Sequence, residues 1–257
     1  MTDEKLKYPM RINKYLANKG ISTRKGVDKL IEKGKVFING RKAVLGDKVI
    51  ETDKVEVTQK ANPKQYKYFA YYKPREIITH SPQKGQREIK NIFLNSPSQG
   101  GSGELFFKKN VLAGMFPIGR LDKDSEGLII LTNDGRITER LLSPDKEHQK
   151  EYIVKTTNFI KPLFISKAKT GINIGDCITR PCDIYQEGEK SFRIILKEGK
   201  KHQIRRMTDA YGIAIESLKR IRIMNIKIEN LKPNDHREIK GDELKEFLNS
   251  LSLQEKL

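Results

Sequence analysis

The segment Phe116-Pro117-Ile118-Gly119-Arg120-Leu121-Asp122-Lys123-Asp124-Ser125-Glu126-Gly127 holds the side chains of this sequence best suited to chemistry. Pro117, Gly119 and Gly127 frame a tight loop beside Leu128-Ile129-Ile130-Leu131, a run that reads as a buried strand. Asp122 follows Arg120 by two residues, so an extended backbone puts both side chains on one side. A carboxylate beside a guanidinium stays ionised, because the positive charge favours its deprotonated form. Ionised and partly desolvated, such a group serves as a nucleophile or a base. An ordinary loop ion pair has the same spacing, and spacing alone does not separate the two.

Other chemistries find less support. Cys177 and Cys182 stand at C-x4-C spacing, which matches no zinc site and makes no disulfide framework, so they read as reduced thiols. His80, His148, His202 and His236 are scattered, and His202 reads as a neighbour of other motif residues rather than as a base. There is no dinucleotide fingerprint or P-loop, so neither a metal nor a small-molecule cofactor is expected. A glycoside hydrolase using Asp122 and Glu126 would need two carboxylates about 5–9 Å apart, and a strongly basic chain suits that substrate poorly.

The 257 residues are enough for a small domain plus a medium one. Charged residues make up 33% against 36% apolar, which still provides a core. No run approaches 18 uncharged apolar residues, so no membrane-spanning helix is expected, and the opening Met1-Thr2-Asp3-Glu4-Lys5 points to the cytoplasm. Lys and Arg total 51 against 33 Asp and Glu, a net charge of +18. Such a surplus implies a polyanionic partner, because each neutralised phosphate releases counterions; the plainer alternative is a lysine-rich solvated surface. Residues 1–60 carry 15 basic and 8 acidic side chains, so the surplus is spread over the whole chain.

Near the N-terminus, Ile12, Tyr15 and Leu16 recur at helical spacing, with Gly20 as a stop. Ser22 is a good N-cap for a second helix, Thr23 to Lys33, ended by Gly34. Val27, Leu30 and Ile31 share one face of that helix, with Lys25, Lys29 and Lys33 roughly opposite. Val36-Phe37-Ile38, the turn Asn39-Gly40 and Arg41-Lys42-Ala43-Val44 predict a hairpin. Residues 1–60 therefore form one small basic domain, 61–66 a linker and 67–257 a second domain. In the latter, Tyr68–Tyr72, Leu128–Leu131, Tyr152–Lys155, Ser191–Lys197 and Ile221–Ile228 read as strands, and Leu244, Phe247, Leu248 and Leu251 mark a last helix. Strands and helices alternate too irregularly for a doubly wound sheet, so the expected class is α+β with a mostly antiparallel sheet. Residues 95–104 are Gly- and Ser-rich and read as a flexible loop.

Several blocks resemble a known family. RINKYLANKGISTRKGVDKLIEKGKVFINGRKAVLGDKV resembles an S4-like (αL) RNA-binding domain, and by position Arg11, Lys14, Ser22, Arg24, Lys25 and Lys29 are the implied RNA contacts. FPIGRLDKDSEGLIILTNDG is similar to the catalytic motif of pseudouridine synthases of the branch that carries an S4 domain and modifies ribosomal RNA. The resemblance implies Asp122 as catalytic aspartate, with Lys123, Asp124 and Glu126 in support. His148-Gln149-Lys150-Glu151-Tyr152 resembles the block whose tyrosine packs on the target base, and an aromatic face suits a flipped pyrimidine. Without that block Tyr152 would read as a sheet-core residue. Gly199 to Met207 resembles the block in which Arg205 corresponds to the arginine pairing with the aspartate. Ile204 and Leu218 then wall the site, and Arg120 and Lys150 bind substrate.

Tyr72-Lys73-Pro74-Arg75 fits a structural K-P motif, and Arg220, Arg222, Met224 and Asn225 look closest to the subgroup acting on one large-subunit rRNA uridine. The likeness covers Met10 to Phe247, with a departure at Ser96–Lys109, longer and richer in glycine than the family pattern. It implies a monomer acting on rRNA, most closely of the large subunit. Two alternatives stand beside it: a small-subunit rRNA target, and a non-catalytic S4-domain ribosome assembly factor.

Overall fold

The computed structural model describes residues 8–22, 24–58, 66–79, 88–89 and 115–253. Thr23, His80, all of the expected linker but Tyr66, and the stretches 95–104 and 96–109 lie outside the described residues. Two compact units are present: one runs up to Tyr66 and includes Asn133–Thr138, and the other holds Lys67–Thr132 and continues from Glu139.

In the first unit, β1 (Met10–Arg11) leads into α1 (Ile12–Asn18), followed by α2 (Arg24–Glu32). Ile12 and Leu16 of α1, one turn apart, are buried with Val27 and Ile31 of α2, while Arg24, Lys25, Lys29 and Lys33 are exposed. Gly34 ends α2 at φ +63, where its amide and that of Lys35 bond back to the carbonyls of Ile31 and Leu30. β2 (Val36–Ile38) and β3 (Arg41–Lys42) pair across Asn39 and Gly40, whose φ of 50 and 80 are those of the two-residue turn the dipeptide predicts. β4 (Lys48–Val49) pairs with β1, and β5 (Val55–Val57) adds a third strand beside β2. The Asn39 side chain accepts the Lys54 amide at 2.8 Å, so the turn residue also docks the entry to β5.

The second unit is built on one sheet. Its strands are β6 (Tyr68–Lys73), β7 (Phe116–Ile118), β8 (Glu126–Thr132), β9 (Lys150–Thr156), β10 (Asp183–Gly188), β11 (Ser191–Leu196), β12 (Ile215–Ile223), β13 (Ile226–Lys227) and β14 (His236–Glu238). Their order is β10-β11-β9-β12-β8-β6-β14, with β13 on β12 and β7 on β8. Every pairing is antiparallel except β12 with β8. The fold is thus α+β on a mostly antiparallel sheet, as the sequence indicates. The helices that follow β8 in the chain are α3 (Arg136–Leu142), whose first residues count with the first unit, and α4 (Pro162–Ala168), α5 (Gln203–Asp209) and α6 (Gly241–Ser250) of the second.

α4 and α5 pack Phe164, Ala168, Ile204 and Met207 into one core with Val154, Phe192, Ile194 and Leu218 of the sheet. The Phe164 and Phe192 rings meet edge to face at 5.3 Å, a pairing that adds about 1 kcal/mol beyond its buried area. β6 is buried along its whole length, and its polar tips are matched: Tyr71 Oη donates to Asn234 Oδ1 at 3.1 Å and Tyr72 Oη to Glu126 Oε2 at 2.7 Å.

One sequence expectation is corrected. The run Ile221–Ile228 is not a single strand: β12 ends at Ile223 and β13 returns from Ile226, with Arg222 opposite Lys227. The chain turns at Met224, which adopts φ 53, and the Arg222 guanidinium holds its carbonyl at 2.8 Å. Methionine carries no turn signal, so the apolar alternation hides the reversal.

Candidate active site

The loop between β7 and β8 presents Asp122, and its backbone is held from several elements. Leu121 is anchored by Thr79, whose Oγ1 accepts the Leu121 amide at 3.1 Å and donates to the Leu121 carbonyl at 2.9 Å. The fully buried Lys73, at the end of β6, donates through Nζ to the carbonyls of Ser125 at 2.7 Å, Pro74 at 2.8 Å and Lys123 at 3.5 Å. Burial pushes this ammonium down to about 8, the nearby Arg220 acting the same way and Asp122, Asp124 and Glu126 opposing. From α5, Arg205 Nη2 reaches the Asp124 carbonyl at 3.2 Å and Ser125 Oγ at 3.3 Å. From β12, Arg220, only 3% exposed, donates to the Leu128 carbonyl at 2.7 Å and the Arg120 carbonyl at 3.4 Å. Four side chains from four segments thus fix one short loop.

The Asp122 carboxylate stays at the surface of this frame, its side chain 38% exposed. His202 Nε2 lies 3.4 Å from its Oδ1. His202 caps the start of α5 with φ 51, so the short turn before the helix swings the imidazole toward the loop.

The sheet brings further residues into rows. Arg220 of β12 is paired with Gly127 of β8 on one side and with Tyr152 of β9 on the other, and Tyr152 is next to Ile194 of β11. Two residues along, Leu218, Val154 and Phe192 form the neighbouring row. Pairs in register share a sheet face, and that face is the one covered by Ile204 and Met207 of α5. Tyr152 is half-buried at the border of this core, and Lys150, two residues earlier, donates to the His148 carbonyl at 3.3 Å. Burial and Arg220 lower the pKa of Lys150.

In the first unit, Arg11, Lys14 and Arg24 line a shallow open cavity of about 210 Å³ with Pro9, Met10 and Asn13. Asn13 Nδ2 donates to Asp28 Oδ1 at 2.9 Å, holding α1 against α2. Lys25 and Lys29 are exposed on α2, and Ser22 is half-buried just before it.

Comparison with known proteins decides the family. The family described as RNA pseudouridylate synthase matches residues 67–210, more than half of the chain. The chain belongs to the RNA pseudouridylate synthase family. The S4 domain family matches residues 10–55 of this synthase. It is 35% identical over 239 residues to the dual-specificity RNA pseudouridine synthase RluF of Escherichia coli (strain K12), covering 91% of the chain and 77% of that protein. It is 32% identical over 244 residues to the ribosomal large subunit pseudouridine synthase B of Bacillus subtilis (strain 168), covering 91% and 94%. A crystal structure of a pseudouridylate synthase superposes with a TM-score of 0.63 over 94% of this chain and 99% of that one, at 22% identity, and so shares the fold.

Within the synthase, the expected site residues separate into groups. Tyr152, Ile204 and Leu218 share one face of the sheet and its helical cover, and Arg205 reaches the loop that carries Asp122 through Asp124 and Ser125. Two expected pairings differ. Arg120 is exposed and does not pair with Asp122; its carbonyl, held by Arg220, leaves the side chain outside the turn. Arg205 donates to the Asp124 carbonyl and the Ser125 hydroxyl of the loop, while the group beside the Asp122 carboxylate is the imidazole of His202. Thr79 and the contact of His202 were not legible as site features, and Arg220 was legible only as part of the subgroup motif. Lys73 carried a signal of its own, a lysine closing an otherwise uncharged aromatic strand, though it read as part of a structural K-P motif.

Proposed function

We propose that this synthase converts one uridine of large-subunit ribosomal RNA into pseudouridine, with Asp122 as its catalytic carboxylate. The observation that carries the reading is the loop itself: Lys73, Thr79, Arg205 and Arg220 immobilise the backbone around a carboxylate that remains open to solvent. Preorganisation of this kind removes reorganisation cost from the reacting step. In the reaction the bond from uracil N1 to the sugar breaks, the base turns, and C5 bonds to the same sugar carbon. C5 then gives up its proton and N1 acquires one. An ionised Asp122 serves either of two routes, attack on the sugar carbon or removal of a ribose proton with release of the base.

The target must leave its stack, at about a few kcal/mol. Tyr152 provides an aromatic face for the extruded base, and Ile204 and Leu218 keep water from capturing the sugar. Arg120 and Lys150 supply positive charge for the flanking nucleotides, and Arg11, Lys14, Ser22, Arg24, Lys25 and Lys29 contact phosphates through the first unit. The name of the relative from B. subtilis supports an rRNA substrate of the large subunit, and the name of the E. coli relative and the net charge of +18 support an RNA substrate.

The test maps pseudouridines in both ribosomal RNAs from cells with and without this protein. One large-subunit position should lose its modification, return with the wild-type gene and stay unmodified with Asp122→Asn. An unchanged map overturns the enzyme reading, and a loss confined to small-subunit rRNA overturns the substrate assignment.

A further inference from the structure

His202 takes no part in the chemistry proposed for Asp122, yet its position is unusual. It adopts φ 51 at the N-cap of α5, a left-handed conformation sparsely used by non-glycine residues, and makes no capping bond with its side chain. The turn is held without it: Gln203 Oε1 accepts the Lys200 amide at 3.0 Å, and Gln203 Nε2 donates to Glu198 Oε1 at 2.7 Å. The imidazole, 49% exposed, has Asp122 as its ion-pair partner among the described residues, and Asp122 has His202. A backbone in a costly conformation whose side chain serves the proposed catalytic carboxylate points to a function for that side chain.

We propose that His202 is a positioning residue for Asp122, holding the carboxylate aside as an imidazolium and releasing it toward the sugar when the imidazole loses its proton. The inference rests on the function proposed for this site. As a cation the ring makes an ion pair that must be broken before Asp122 can turn. As a neutral ring it no longer carries the charge that holds the carboxylate, and an incoming ribose displaces it. Imidazole is the side chain whose charge changes between about pH 5 and 8, so the reaction acquires an acid limb in that window.

The other charged groups around the pair are constrained. Lys73 of β6 is committed to the loop carbonyls, and Arg205 of α5 to Asp124 and Ser125. Glu126 of β8 accepts the Tyr72 hydroxyl, Lys123 pairs with Glu76 at 3.1 Å, and Lys200 faces Glu198 at 3.7 Å. Asp124 and Lys201 are exposed. Lys73, which burial pushes down to about 8, starts to lose its proton only at the upper end of the range from pH 5.5 to 7.5, so a limb at the acid end is assigned to the imidazole.

The experiment measures single-turnover release of tritium from a large-subunit rRNA transcript labelled at uridine C5, from pH 5.5 to 7.5, with the full chain. The wild type should be roughly fivefold slower at pH 5.5 than at pH 7.5, the size expected for a half-exposed ion pair. His202→Gln, which keeps a donor but no charge, should show a flat profile, with His202→Asn as the variant better suited to the left-handed backbone. An acid limb that survives in both variants overturns the proposal. A second readout needs no turnover: the His202 ring titration, followed by NMR, should move to lower pH in Asp122→Asn, because the anion that favours the imidazolium is gone. An unmoved titration also overturns the proposal. Wild-type protein that releases no tritium at any pH, yet shows the shifted titration, would count against the function and not against the contact.

Discussion

Gly127 of β8 lies against Arg220 of β12 so closely that a Cβ on it would stand 2.2 Å from the Arg220 carbonyl oxygen and 2.7 Å from its amide nitrogen. Gly127 also adopts φ +108, which side chains rarely tolerate. The only parallel pairing in the described sheet, and the seat of the arginine that holds the Arg120 and Leu128 carbonyls, therefore depend on a missing methyl group. Gly127→Ala should cost about 3 kcal/mol or more and reduce turnover in whatever fraction folds. Urea melts with wild-type midpoints would show that the two strands have room for the methyl group.

Arg205→Ala leaves the Asp124 carbonyl and the Ser125 hydroxyl without their clamp. A displacement of the loop by a fraction of an ångström near a reacting carboxylate lowers single-turnover rates by about 10- to 100-fold. RNA affinity should stay within a fewfold. A large drop in affinity with an intact rate would assign the guanidinium to RNA binding instead.

Lys73 links folding to pH. Burial lowers its pKa from the ordinary 10.5 to about 8, so between these values the unfolded chain holds a proton that the folded one has released. The contribution of this residue to stability is therefore fully present above 10.5, grows as pH rises from 8, and is lost as pH falls through 8. The difference in unfolding free energy between wild type and Lys73→Met should become more favourable to wild type from pH 8 to 10. Tyr71 and Tyr72, whose phenols burial raises, act in the opposite sense at higher pH, so the titration ends at 10. A constant difference would mean that the ammonium is not desolvated.

Neutralising Arg24, Lys25 and Lys29 together with glutamine should weaken RNA binding and reduce the slope of log affinity against log salt by about one for each phosphate no longer neutralised. All three are exposed in the structure, so folding should be unaffected. An identical slope would leave the lysine stripe of α2 as solvated surface only.

Local signals carried far along this chain. Asn39-Gly40 predicts its turn because the two residues tolerate positive φ, and Val27 and Ile31 predict the buried side of α2 because they lie about one turn apart. The edge strands β10 and β14 were hidden, since an edge exposes most of its side chains and needs no apolar alternation: only Ile184 of β10 is buried. Met224 hid the β12–β13 reversal for a related reason, a turn made by a residue with no preference for it.

The sequence by itself determined the α+β class and the order of the motifs, and it singled out Asp122 as the carboxylate to propose, because motif identity and periodicity are properties of neighbouring residues. Only the tertiary structure decided what holds the loop that carries that carboxylate. Lys73, Thr79, His202, Arg205 and Arg220 come from β6, the loop beyond it, α5 and β12, remote from Asp122 in the chain, and reach it through the pairing of β8 with β6 and β12 and through the packing of α5 on the sheet. Spacing pointed to Arg120 as the partner, since adjacency in sequence is all that spacing can measure. Folding instead gave the Arg120 carbonyl to Arg220 and set the imidazole of His202 beside Asp122.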